Sequence, residues 1–147
     1  MKKEIVGYTT GVFDLFHIGH LNLLQNAKSN CDRLIVGVST DELVESYKHK
    51  KPIIPFAERT EIVSALKCVD EVVAQTHRDK IAAYHEIKFD VMFVGNDWKG
   101  SDLFNMVEAE LAENGVKVVY FEYTNHVSST ALKATLQAIY DAETFIR

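Results

Sequence analysis

A doubly wound α/β domain, with a five-stranded parallel sheet and helices on both faces, is what this sequence predicts, and three observations carry the expectation. Strand-like and helix-like stretches alternate along the 147 residues. The strand-like stretches are short, continuous apolar runs, the pattern of strands buried on both faces. The glycine-rich and polar segments fall directly after three of these runs. In open α/β sheets that is where ligands bind, at the carboxyl ends of strands.

The first run is Ile5-Val6-Gly7-Tyr8-Thr9, and it leads through a glycine turn into a segment where Leu21, Leu24 and Ala27 share one helical face. Arg33 to Ser39 reads as the second strand. Ser39, with Glu42 three residues on, has the spacing of a capping box and opens a short helix through Leu43 and Val44. Lys48-His49-Lys50-Lys51-Pro52-Ile53-Ile54-Pro55 is a basic loop punctuated by proline. A helix resumes near Ala57, with Ile62, Val63 and Leu66 on one face. Glu71 to Ala74 is the third strand, and a helical stretch from Ile81 to Ile87 follows. Val91 to Val94 is the fourth, ending at Gly95-Asn96-Asp97-Trp98. The next helix carries Met106, Val107 and Leu111 and stops at Asn114-Gly115. Val116 to Phe121 is the fifth strand. Ser128 and Ser129 offer N-caps to a last helix carrying Leu132, Leu136 and Ile139.

Composition narrows the classes. With 47% apolar and 25% charged residues, residues 1–147 read as a single globular domain with room for a sizeable core. A net charge of −5 argues against nucleic acid or an anionic membrane as partner, so a phosphate site has to be a local basic patch. No run is long enough for a signal h-region or a membrane span, and Cys31 and Cys68 stand alone, so cytoplasm is the expected compartment. Neither the P-loop pattern nor Gly-x-Gly-x-x-Gly is present, which disfavours a P-loop NTPase and a Rossmann dinucleotide cofactor.

The stretch with chemistry in it is Gly11-Val12-Phe13-Asp14-Leu15-Phe16-His17-Ile18-Gly19-His20. A strand that turns at a glycine and re-enters as a helix presents free N–H groups and the positive end of the macrodipole, a ready phosphate site. His17 and His20, three apart, fall on one side of a helical turn, and each can donate a hydrogen bond to a phosphate oxygen. Two other readings of the pair remain: surface histidines on a helix, and a zinc pair. Zinc wants further ligands at short spacing, and none is evident. By composition alone, Lys48 and Lys50 could be a solvated charge run, Glu58 and Arg59 surface charges, and Trp98 a packing residue.

Gly11-x-Phe13-Asp14-x-x-His17-x-Gly19-His20 resembles the signature of the HxGH nucleotidyltransferase superfamily in its cytidylyltransferase branch, and within it the bacterial glycerol-3-phosphate cytidylyltransferase family. The resemblance runs from Tyr8 to about Lys133. It implies transfer of CMP from CTP to a small phospho-alcohol, with Mg²⁺ carried mainly by the triphosphate, no protein metal site, and a homodimer whose interface includes part of the Ala57 to Asp70 region, with Lys67 where the family has an arginine. It implies catalytic roles for His17, His20, Lys48, Lys50 and Arg59, the last as a bidentate phosphate contact. Nucleotide binding would fall to Gly11, Val12, Phe13, Asp14, Gly19, Asp97, Trp98, Tyr123, Thr124, Ser128 and Ser129. The chain departs from the family at Asn96, which stands for an aspartate, and at Tyr123, which stands for an arginine. Asn125-His126 also replaces Glu-Gly. Arg78, Lys99 and Lys133 are the cations that could compensate. Transfer of AMP from ATP and a non-catalytic nucleotide-binding module are the alternatives.

Overall fold

The computed structural model describes residues 3–122 and 129–146. Five strands, β1 (Val6–Gly11), β2 (Arg33–Ser39), β3 (Glu71–Gln75), β4 (Val91–Gly95) and β5 (Lys117–Phe121), form one parallel sheet in the order β3-β2-β1-β4-β5. The chain winds outward from β1 to β3 and then crosses back to β4. The order therefore reverses between β1 and β4, and the crevice at their carboxyl ends is the switch point.

The described residues hold six α-helices: α1 (Ile18–Ser29), α2 (Asp41–Lys48), α3 (Phe56–Ser64), α4 (Lys80–Ile87), α5 (Asp102–Glu113) and, after the last strand, α6 (Ser129–Ile146). Two apolar clusters, one per sheet face, hold the layers together. Leu24 and Ala27 of α1 and Val63 of α3 pack with Leu34, Val36, Val38 and Phe93. On the other face Ala83 of α4 and Phe104, Val107 and Leu111 of α5 pack with Tyr8, Ile35 and Met92. Both faces of the sheet are thus covered, as the unbroken apolar strands require.

Several local expectations are corrected. Ser39 does not cap α2: it is the last residue of β2, buried, and its hydroxyl donates to Gln75 Oε1 at 2.7 Å. Thr40 takes the cap, accepting from the Leu43 amide at 3.1 Å, because its backbone is the first to leave the helix for an extended geometry. Ile62 and Met106 point outward, 44% and 70% exposed, although each sits beside a buried valine. Leu136 and Ile139 of α6 are exposed as well.

Candidate active site

Gly11 ends β1, and a Cβ there would fall 2.8 Å from the Phe13 ring, so the turn can fold back over this position only because the side chain is missing. Phe13 and Leu15 both adopt the left-handed conformation, φ 56° and 48°, which costs side-chain-bearing residues energy and persists only where the surroundings enforce it. The enforcing group is Asp14 between them, 2% exposed. Its Oδ1 accepts from the amides of Leu15 and Ile54 at 3.1 and 2.9 Å, and its Oδ2 accepts from the Ile53 amide at 2.8 Å and pairs with Lys133 Nζ at 2.7 Å. Ser129 donates to the Asp14 carbonyl at 2.5 Å. One carboxylate therefore ties the turn to the basic loop and to the start of α6.

Burial alone would raise the Asp14 pKa, but the Lys133 bond and the Ile54 and Ile53 amides outweigh it and hold the carboxyl below its usual value of 3.8. A depressed folded-state pKa gives stability that is complete above the unfolded value and is lost as pH falls through the folded one. Asp14→Asn is expected to cost roughly 2–3 kcal/mol near pH 7. In urea titrations the gap to the parent should narrow as the pH drops below about 4; a gap that stays constant down to pH 3 would count against this assignment.

The helix start is built from the two histidines. His17 is the N-cap of α1, and its Nδ1 accepts from the Gly19 amide at 3.0 Å; His20 is at N3, and its Nδ1 accepts from the His17 amide at 3.1 Å. This is a capping box with imidazoles in place of Ser/Thr and Glu. The sequence expectation put both residues within the helix; His17 instead stands just before it, and the rings stack with centroids 4.0 Å apart. Each Nδ1 accepts a backbone proton, so each neutral ring carries its own proton on Nε2. Desolvation lowers the His17 pKa. Burial, then the neighbouring His17, pushes His20 down to about 4. Both rings are neutral donors at pH 7. Among the described residues His17 Nε2 is buried with no partner, a donor left open for a ligand.

Lys48, Lys50 and Lys133 gather around this turn. Loss of solvation first, then the charges of Lys133 and Lys50, depress the Lys48 pKa, while Asp14 opposes them. Of the three candidate compensating cations, only Lys133 contacts the turn. Arg78 lies over the Tyr47 ring at 4.4 Å and Lys99 over Tyr120 at 5.9 Å. Asp97 and Trp98 occupy an exposed turn of 3₁₀ helix directly after β4, at the switch point, and Trp98 also packs on Phe104 at 5.4 Å. Tyr123, Thr124 and Ser128 lie outside the described residues.

Arg59 is tied into the framework beneath the turn. It is 1% exposed, and its guanidinium donates to the carbonyls of Ile54 (2.8 Å), Val12 (2.7 Å) and Ser39 (2.8 Å) and to Asp41 Oδ1 (2.7 Å). Its fork joins β2, the turn and the basic loop, and the bonds it makes there are to protein groups. Val12 offers its carbonyl to Arg59, and Phe13 is buried with its ring edge-on to His20. Sequence reasoning missed Lys80, whose Nζ donates to Thr10 Oγ1 at 3.2 Å. Its signal was available: it is the first residue of a helix that Asp79 caps, at the carboxyl end of β3.

Neutral imidazole donors at a helix N-terminus, flanked by lysines at the switch point of a parallel sheet, can hold the phosphates of two anions side by side, and fold and site together define a nucleotidyltransferase. The chain belongs to the cytidylyltransferase-like family, which matches residues 8–135. It is 34% identical over 140 residues to the glycerol-3-phosphate cytidylyltransferase of Bacillus spizizenii, covering 95% of this chain and all of that one. It is 36% identical over 131 residues to the bifunctional protein HldE of Paramagnetospirillum magneticum, matching 88% of this chain but only 26% of that longer protein. Among solved structures it resembles the lipopolysaccharide core biosynthesis protein of Thermoplasma volcanium. The TM-score there is 0.69 at 27% identity, over 85% of this chain and all of the other.

Proposed function

We propose that this enzyme transfers CMP from CTP to the phosphate of a small phospho-alcohol, glycerol-3-phosphate or a close analogue, and releases pyrophosphate. The observation that carries the reading is the pair of Nε2–H donors held in register by the capping amides, with His17 Nε2 unpartnered among the described residues. The identity to a glycerol-3-phosphate cytidylyltransferase over nearly the whole chain supports the choice of CTP and acceptor. The acceptor phosphate has a second pKa of about 6 and is already ionised at pH 7, so the chemistry asks for no general base. Its oxygen attacks the α-phosphorus in line, the bond to the pyrophosphate oxygen breaks, and charge grows on the transferred and leaving oxygens. His17 and His20 donate to that charge, while Lys48, Lys50 and Lys133 draw the two anions together.

Magnesium belongs to this reading as an ion carried by the triphosphate, where it neutralises phosphate charge. The residues fit that arrangement. The Asp14 oxygens are taken by three amides and Lys133, and among the described residues no group of three His, Cys, Asp or Glu is placed to hold a metal. The same reading places the enzyme in the cytoplasm, in the supply of a CDP-alcohol to cell-envelope polymers. It is expected to act as a twofold homodimer through part of the 57–70 region, where exposed Ile62 supplies an apolar contact.

A pyrophosphate-release assay with CTP or ATP against a panel of phospho-alcohols tests the reading. Turnover with CTP plus glycerol-3-phosphate is expected, whereas turnover confined to ATP would overturn the base assignment. Sedimentation of the same preparation at micromolar concentration checks the dimer.

A further inference from the structure

Away from the histidines, a cavity of about 120 Å³ lies between α4 and the sheet, on the face opposite α1 and α3. Gly37 of β2 leaves room for the tyrosine that lines it: a Cβ there would lie 2.6 Å from the Tyr8 hydroxyl oxygen and 3.1 Å from Thr10 Cγ2, so the Tyr8 hydroxyl reaches over a position with no side chain. The Tyr8 ring is fixed by stacking on Phe89 at 4.9 Å, which leaves its position little freedom. Gln75, also in the lining, spends its Oε1 on the Ser39 hydroxyl and keeps its NH₂ group as donor. Glu86, paired with His77 at 3.5 Å, stands at the exposed rim. Lys80 joins this space to the phosphate site, because it lines the cavity and also bonds Thr10, the neighbour of Gly11. Burial, then the charge of Arg78, pushes its ammonium down to about 8.

We propose that this cavity is the pocket for the alcohol end of the acceptor, and that Tyr8 and Gln75 select a tail bearing free hydroxyls. The inference rests on the transferase reading for the acceptor's phosphate and goes beyond it in naming what reads the rest of the molecule. The volume corresponds to roughly four waters, enough for a three-carbon chain with its hydroxyls. A quaternary ammonium needs a cage of aromatic faces. This lining offers one aromatic ring, already stacked, and a lysine that repels a second cation. A plain alkyl tail would strand the tyrosine hydroxyl and the glutamine amide without partners, which a hydroxylated tail supplies.

Calorimetric titration reads the pocket without any turnover, so that a failed transferase reading and a failed pocket give different results. Glycerol-3-phosphate, n-propyl phosphate and phosphocholine are titrated into the parent protein and into Tyr8→Phe, which keeps the ring and its stack. The parent should bind glycerol-3-phosphate at least tenfold more tightly than the other two. Tyr8→Phe should lose most of that preference by weakening glycerol-3-phosphate alone, with CTP binding and the melt unchanged. Gly37→Ala, whose Cβ would displace the Tyr8 hydroxyl, should weaken glycerol-3-phosphate further. Equal binding of the three ligands, a preference for phosphocholine, no binding of any of them, or a preference untouched in folded Tyr8→Phe would each overturn the proposal.

Discussion

Replacing His17 by Ser and His20 by Gln, singly, is expected to lower turnover a hundredfold or more while leaving nucleotide affinity and the melt close to those of the parent. The choice of residues follows from the geometry. Each ring spends Nδ1 on a backbone amide and offers Nε2–H to the ligand, so each histidine holds the helix start and serves the chemistry through different atoms. Alanine removes both functions, and loss of the cap costs about 1 kcal/mol by itself. Ser at the cap and Gln at N3 restore the ordinary capping box, so the backbone donors stay satisfied and only the Nε2–H groups disappear. A well-placed donor to developing charge is worth on the order of 3 kcal/mol, which sets the hundredfold scale. Steady-state kinetics and a thermal melt read the two effects separately. A purely structural pair would show parental turnover per folded molecule in both variants. A zinc pair would lose activity to chelator and regain it with zinc better than with magnesium.

The alternation of apolar runs was enough to expect the parallel sheet and its switch point, because strands buried on both faces leave a pattern that few other arrangements produce. The histidines could be placed at the turn because the glycine and the following apolar face locate a strand-to-helix junction. What spacing could not show was division of labour among charged groups. Asp14 and Arg59 carry the same formal charges as residues that meet substrate, yet both are almost fully buried and most of their hydrogen bonds go to backbone groups, with Lys133 and Asp41 as their charged partners. That distinction depends on which segments, forty or so residues apart in sequence, fold against each other. Lys80 was obscured for the same reason, since it reaches the site from a helix whose position is set by tertiary packing, whereas Lys133 was named as one of three candidates that only the packing could separate. Ser39 and Thr40 show the lesser ambiguity of a boundary, where either hydroxyl suits the cap and the end of the strand decides.

Arg59→Ala is expected to be the most destabilising single change among the residues of this site, at about 3–5 kcal/mol. The guanidinium meets three carbonyls and the Asp41 carboxylate at 2.7–2.8 Å, with 1% of the residue exposed. Truncation leaves those acceptors in a void that water enters poorly, and it leaves Asp41 without its counter-ion. The carbonyls belong to Val12, Ser39 and Ile54, so the loss falls on the turn, the end of β2 and the basic loop together. Against a typical domain stability of about 5–15 kcal/mol the change is large, and Tm should fall by roughly 10 °C or more. Arg59→Lys keeps the charge but cannot span four acceptors with a single ammonium, and should recover less than half of the loss. The phosphate-contact reading predicts a different signature: a melt near that of the parent and a raised KM for one substrate. Chemical denaturation alongside KM for both substrates separates the two. An Arg59→Ala protein with parental stability and a selectively raised acceptor KM would return the residue to the ligand site, and the buried geometry argues that stability goes first.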